Sequence, residues 1–263
     1  MSAPQGKFAW YELMTTDTEA AGKFYSSVVG WSTKDVGMPG MPYTTFNVGE
    51  VGIAGMLATT PDAAAAGVPP SWIGYIVVDD ADAYAAKIVA AGGRLCKEPT
   101  DVPGMLRFAV VTDPQGAPFV VFHSFPGMTS PPNRPMPPDV GTVPWHELYT
   151  SDLEPAWDFY NKLFGWTILN DMDMGPMGIY RIFSDGDETK AMGAGGMMTK
   201  PPAIPTPFWG FYFQVDNINS AIERVKSAGG SITQGPHQVP GGSWIAQGID
   251  PQGASFALVS ANT

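Results

Sequence analysis

Cysteine is nearly absent from the 263-residue chain: Cys96 stands alone. An intramolecular disulfide and a cysteine-based zinc centre are therefore excluded, and a reducing compartment is the simplest setting. Charge is scarce too, at 15% of residues, where soluble domains commonly carry about 25%. Basic residues are the scarcer kind, 14 Lys and Arg against 25 Asp and Glu for a net charge of −11. The imbalance is even along the chain, 7 against 12 in residues 1–130 and 7 against 13 in the remainder. With no Lys/Arg cluster to meet a phosphate backbone or anionic lipid, neither nucleic acid nor membrane is expected as a partner. No stretch approaches the roughly eighteen apolar residues of a membrane span, and the start MSAPQGKFAW lacks a basic segment followed by an apolar one. A cytoplasmic protein is the expectation. Neither a GxxxxGK[ST] loop nor a helix-opening GxGxxG occurs, so no nucleotide cofactor is implied.

What the chain has is apolar bulk, 44% of residues with 12% aromatic, and an internal repeat. Trp10-Tyr-Glu-Leu-Met-Thr-Thr-Asp17 matches Trp145-His-Glu-Leu-Tyr-Thr-Ser-Asp152 at an offset of 135. Phe24-Tyr25…Gly30-Trp31 recurs at the same offset as Phe159-Tyr160…Gly165-Trp166, and Asp113-Pro-Gln-Gly-Ala117 recurs at 137 as Asp250-Pro-Gln-Gly-Ala254. Conserved order with a drift of two describes a duplicated domain with a small insertion. A finer period lies within each half. Trp72 precedes Asp79 by seven residues, as Trp209 precedes Asp216, Trp10 precedes Asp17 and Trp145 precedes Asp152. Each such run is aromatic and β-branched, which predicts a strand. A helix pattern follows, for example Ala156, Phe159, Tyr160, Leu163 and Ile218, Ala221, Ile222, Val225 at i, i+3, i+4, i+7. Thr16–Glu19 and Ser151–Glu154 fit the capping box, and glycines such as Gly30 and Gly165 supply stops. Each quarter then adds about three short strands. The expected fold is α+β: four βαβββ modules in two domains, each a curved mixed sheet around a cleft with helices outside. The first domain spans residues 1–126 (modules near 6–60 and 70–125) and the second 143–263 (modules near 143–200 and 207–260). A Pro-rich linker, 127–142, joins them. Pairing of modules across the halves stays open.

Four paired βαβββ modules, carried by the strand–Asp–helix openings, the Phe-Tyr…Gly-Trp pairs and the Asp-Pro-Gln-Gly turns, resemble the vicinal oxygen chelate superfamily. That group includes glyoxalase I, bleomycin- and fosfomycin-resistance proteins and extradiol dioxygenases. The tandem layout more narrowly resembles bacterial proteins described as glyoxalase-like, hydroxylase or lyase. The resemblance implies a cleft that commonly binds a divalent metal. It places one ligand in a module's first strand, seven residues before the capping Asp, which here gives Trp10, Trp72, Trp145 and Trp209. Indole has no lone pair to offer. It places a glutamate four residues after the turn glycine, which here gives Val120 and Ala257. Gly55-Met56 and Gly196-Met197 offer thioethers, poor partners for hard ions. The expectation is therefore no metal and no cofactor. The three histidines do not replace the missing ligands: His123 follows a strand, His237 lies in a Gly-Pro loop, and His146 alternates away from Trp145 and Glu147.

Strand alternation would line the cleft with Trp10, Glu12 and Met14, and with Trp145, Glu147 and Tyr149. The partner modules would add Trp72, Gly74, Ile76 and Trp209, Phe211, Phe213, and Met38, Met41, Met172, Met174 and Met177 would form apolar lids. Ligand-binding candidates are thus Trp10, Met14, Trp72, Trp145, Tyr149, Trp209 and Phe211. Glu12 and Glu147 are the catalytic candidates, with Arg107 and Arg181 as candidate charge partners. The four Trp residues read equally well as a plug filling an ancestral cavity. Three functions follow in order. The first is a metal-free protein that captures a small apolar or aromatic molecule. The second is a metal-independent enzyme with Glu12 or Glu147 as general base. The third is a metal-dependent lyase or oxygenase with ligands elsewhere. Homo-oligomerisation stays open.

Overall fold

A computed structural model describes residues 5–37, 42–125 and 139–263. Met38, Met41, residue 126 and residues 127–138 of the expected linker lie outside the described residues. The first module runs β1 (Phe8–Thr15), α1 (Thr18–Val29), β2 (Ser32–Asp35), β3 (Thr44–Val48) and β4 (Val51–Ala58). After a short helix α2 (Pro61–Ala65), the second runs β5 (Ser71–Val77), α3 (Ala81–Ala90), β6 (Arg94–Val102), β7 (Leu106–Thr112) and β8 (Pro118–Ser124). The third holds β9 (Trp145–Thr150), α4 (Leu153–Phe164), β10 (Thr167–Asp173), β11 (Ile179–Ser184) and β12 (Gly195–Thr199). The fourth holds β13 (Phe208–Gln214), α5 (Ile218–Ser227), β14 (Ser231–Gln238), β15 (Trp244–Ile249) and β16 (Ser255–Ser260). The βαβββ order thus occurs four times. Two mixed eight-stranded sheets result, ordered β2-β3-β4-β1-β5-β8-β7-β6 and β10-β11-β12-β9-β13-β16-β15-β14. His237 falls within β14 and His123 within β8, not in the loops expected for them.

Side-chain capping starts each long helix. Asp17 accepts from the Ala20 amide and Asp152 from the Glu154 amide, one residue later than the Thr16 and Ser151 of the expected boxes. Gly30 and Gly165 end α1 and α4 in the left-handed region, at φ 88° and 70°, which a side chain would resist. In modules two and four the caps are Asp80 and Asn217, each one residue beyond the Asp79 and Asp216 used as register marks. That single residue decides which face every side chain of β5 and β13 takes.

Packing divides the described residues into two compact units that cut across the repeat. One falls within 1–9, 73–129 and 145–209, the other within 10–72, 130–144 and 210–263. In the first, Tyr84 of α3 stacks on Phe164 of α4 at 5.9 Å, and Phe119 of β8 meets Phe159, Tyr160 and Phe164. Trp166, fully buried, donates its indole N–H to the Gly6 carbonyl at 2.7 Å. In the second, Phe24 and Tyr25 of α1 meet Phe256 of β16, and Arg224 of α5 donates to the Val28 carbonyl at 3.0 Å. Trp31 repeats the Trp166 contact by donating to the Gly141 carbonyl at 2.8 Å. Gly141 and Thr142, the described end of the expected linker, pair their backbones with Gln214.

Candidate functional site

Alternation along β1 leaves Trp10, Glu12 and Met14 half-buried on one face, with Tyr11, Leu13 and Thr15 buried on the other. On β9, Trp145, Glu147 and Tyr149 share a face in the same way. What ties each set together is a tyrosine that the sequence reading missed. Trp10 Nε1 donates to Tyr43 Oη at 3.1 Å, and Tyr43 donates to Glu12 Oε2 at 3.0 Å. Trp145 Nε1 donates to Tyr180 Oη at 2.9 Å, and Tyr180 donates to Glu147 Oε1 at 2.7 Å. Burial, and secondarily the neighbouring carboxylate, pushes both phenols well above the ordinary tyrosine range. Each therefore stays a hydrogen-bond donor. The tyrosines reach the glutamates across glycine: Glu12 lies opposite Gly55 and Glu147 opposite Gly196 on the adjacent strands. A Cβ on Gly55 would stand 1.9 Å from Tyr43 Oη, and one on Gly196 2.2 Å from Tyr180 Oη. The repeat offset of 137 that joins Asp113 to Asp250 also joins Tyr43 to Tyr180 and could have revealed them.

Trp72 and Trp209 take the other face. Trp72 is 6% exposed and donates at 2.8 Å to Tyr25 Oη on α1. Tyr25 in turn donates to Asp250 Oδ2 at 3.0 Å. Trp209, 3% exposed, donates at 3.0 Å to Tyr160 Oη on α4, which donates to Asp113 Oδ2 at 3.2 Å. Because the caps are Asp80 and Asn217, the residues matching Trp10 and Trp145 are Ile73 and Gly210, both half-buried. Phe211 follows Trp209 and packs edge-on against Tyr11 at 5.3 Å. The expected grouping of four Trp side chains on one lining thus becomes two and two. Met172 is half-buried, and Met174 and Met177 are exposed in the turn between β10 and β11. Arg107 ion-pairs with Asp82 and Asp101, and Arg181 sends paired N–H groups to Asp171 and Glu154. His146 is buried, stacked on Phe8 at 4.3 Å, with Nδ1 2.7 Å from the Ala194 carbonyl. Burial holds it neutral, its pKa lowered to about 3.

Residues 7–121 and 142–258 match the pattern of the family described as Glyoxalase/Bleomycin resistance protein/Dioxygenase superfamily. The chain belongs to this superfamily. A Mycobacterium tuberculosis protein named "Putative glyoxylase CFP32" is 34% identical, over 97% of this chain and 95% of its own. The "Anthracycline biosynthesis protein DnrV" of Streptomyces peucetius is 31% identical, over 97% and 93%. Among solved structures, the Mn(II)-bound glyoxalase from Novosphingobium aromaticivorans aligns with a TM-score of 0.67 at 16% identity, covering 98% of this chain and 83% of that one. The 2,3-dioxygenase LapB from Pseudomonas sp. KL28 aligns at 0.65 and 11% identity, covering 98% and 92%. At these identities the two structures speak to the fold alone.

The resemblance implies a cleft that commonly binds a divalent metal, so the donor set here is worth testing. At the strand positions matching the superfamily's ligands stand Trp10, Ile73, Trp145 and Gly210, and in the last strands Val120 and Ala257. None offers a lone pair to a hard cation. Among the described residues no three His, Cys, Asp or Glu side chains come together as a metal site. Each Trp–Tyr–Glu set holds one carboxylate and one protonated phenol, too few strong donors for the six-coordinate ions that favour oxygen. The residues present do not fit the group. Among the described residues no helix is long and apolar enough to cross a membrane.

Proposed function

We propose that this superfamily member is a metal-independent small-molecule-binding protein that captures a flat aromatic ligand beside a Trp–Tyr–Glu set. The observation that carries the reading is the half-exposed face of β1, where an indole and a carboxylate two residues apart are tied by one tyrosine. An indole flank offers stacking area, and the carboxylate accepts a hydrogen bond from a ligand hydroxyl or amine. The relative named for anthracycline biosynthesis supports a fused aromatic ring system as the ligand class. A binding role suits the glutamate better than that of general base, since Tyr43 already donates to one of its oxygens. The test combines elemental analysis of the purified chain with fluorescence titration by a substituted anthraquinone. Saturable quenching that survives chelator treatment is the expected result. Stoichiometric Zn, Mn, Ni or Fe whose removal abolishes binding would overturn the metal-free reading.

A further inference from the structure

The two Trp–Tyr–Glu sets share a design and differ in what surrounds them. On β9 Glu147 is buried at 6% exposure, and Tyr149, two residues on, stacks on Phe208 of β13 at 5.1 Å and 18°. At the matching positions of the other half stand Met14 and Ser71. Glu12 itself is half-buried rather than buried. The duplicated set has therefore kept its internal hydrogen bonds in both copies, and a stacked ring pair beside it stands where the other copy has Met14 and Ser71. The stacked pair sets two rigid rings two residues beyond Glu147. A thioether and a serine fill little, and methionine re-packs at low cost. The polar end of the β1 set is also the more reachable one.

We infer that the chain carries one ligand site, at Glu12, and that the Glu147 set is its closed structural counterpart. The inference rests on the binding reading above and adds the ligand's chemistry to it: a flat ring bearing an O–H or N–H that donates to the Glu12 carboxylate. Tyr43 is the positioning residue, fixing the carboxylate that the ligand's donor must find.

Two probes separate the terms. 2-(Hydroxymethyl)anthraquinone carries a neutral hydroxyl, and 2-methylanthraquinone is the same ring without it. Titrations follow tryptophan fluorescence, with equilibrium dialysis counting bound molecules. The wild-type chain is expected to bind one equivalent, preferring the hydroxyl compound by about tenfold, the range for a hydrogen bond to a charged acceptor. Glu12→Gln should erase most of that preference while near-ultraviolet circular dichroism confirms the fold. The double variant Met14→Tyr/Ser71→Phe rebuilds the cover of the other half and should abolish binding of both probes. Two equivalents per chain, a preference that survives Glu12→Gln, or undiminished binding by the double variant overturns the single-site inference while leaving the binding reading intact. No saturable binding of either probe by the wild-type chain overturns both.

Discussion

Four times among the described residues a hydrogen bond runs from an indole through a phenol to a carboxylate, and the two kinds of relay do different work. In the core kind, Trp72–Tyr25–Asp250 and Trp209–Tyr160–Asp113, the Trp and Tyr are buried and the aspartate closes a turn. Asp250 Oδ1 accepts the Gln252 and Ala254 amides, both at 2.9 Å, and Asp113 Oδ1 does the same for Gln115 and Ala117. Here polar atoms are buried only because each finds a partner, and the relay joins one module's helix to another's turn. In the strand-face kind, Trp10–Tyr43–Glu12 and Trp145–Tyr180–Glu147, the indoles stay half-exposed and the tyrosine enters over a glycine. One chemistry thus serves as a fastening under the helices and as a polar fixture on the opposite face of the sheet.

Removing an indole should separate the two kinds most sharply. Trp72→Ala or Trp209→Ala empties a fully packed site and leaves a tyrosine without its donor, so a loss of about 3–5 kcal/mol is expected. Trp10→Ala deletes a ring already part-exposed and should cost roughly 1–2 kcal/mol. Urea unfolding of the three variants measures the gap. Equal losses would mean that the β1 face is as much core as the helix side.

Acid sharpens the same contrast within one strand, because His146 lies on the buried side of β9 between Trp145 and Glu147. Its folded pKa of about 3 lies below the unfolded value of 6.5. The unfolded chain therefore takes up the proton first, and stability falls as the pH drops from about 6.5 toward 3. The contribution lost is on the order of 2–4 kcal/mol at the acid end. His146→Phe keeps a ring against Phe8 and cannot titrate. It should start less stable, since the Ala194 carbonyl loses its donor, yet show a shallower decline by about one proton across that window. Parallel pH profiles for the two proteins would contradict a neutral buried histidine.

Much of this architecture was legible because it is written twice. The offset of 135 exposed the modules, and the capping aspartates and stop glycines of α1 and α4 fixed where the helices begin and end. The strand faces of β5 and β13 were not legible from the same marks. Asp79 and Asp216 precede the true caps by one residue, and a period-two element turns that slip into a reversal of faces. Trp72 was thereby read as lining when it is packing. Tyr43 and Tyr180 share the offset of 137, but the repeat does not say what they touch. Tyr43 enters from just before β3 and Tyr180 from β11, and only the pairing of β1 with β4 and of β9 with β12 shows which glycine gives them room. Tyr25 and Asp250 both belong to repeated motifs, but a bond between positions 225 apart has no local signature.

Deleting one phenolic oxygen is the next smaller perturbation. Tyr25→Phe strands the Trp72 N–H and one Asp250 oxygen in the core and should cost about 1–3 kcal/mol. Tyr43→Phe leaves the half-exposed Trp10 and Glu12 with access to water and should cost less, roughly 1 kcal/mol or below. Thermal unfolding compares the pair, and a reversed order would show that the strand-face relay is the structural one.

The smallest effect on stability, and the most specific, is expected from glycine. Gly55→Ala puts a methyl 1.9 Å from Tyr43 Oη, 2.5 Å from its Cζ and 3.1 Å from its Cε2, so the ring must move as a unit. Gly196→Ala meets the Tyr180 ring as well as its hydroxyl, with Cζ at 2.2 Å and Cε1 at 2.5 Å. Alanine in a strand also recovers part of the backbone entropy that glycine loses on folding, about 0.5–1 kcal/mol. For Gly55 that gain offsets only part of the cost of displacing the Tyr43 ring. For Gly196 two ring atoms of Tyr180 lie within 2.5 Å of the added methyl, so the loss should be the larger of the two. Function should follow the opposite order. Gly55→Ala displaces the tyrosine that positions Glu12, so the preference for 2-(hydroxymethyl)anthraquinone over 2-methylanthraquinone should shrink. Gly196→Ala, at a set already closed by Tyr149 and Phe208, should leave that preference in place while lowering the unfolding midpoint. If instead Gly55→Ala costs more stability than Gly196→Ala and spares the preference, the two sets have been assigned the wrong way round.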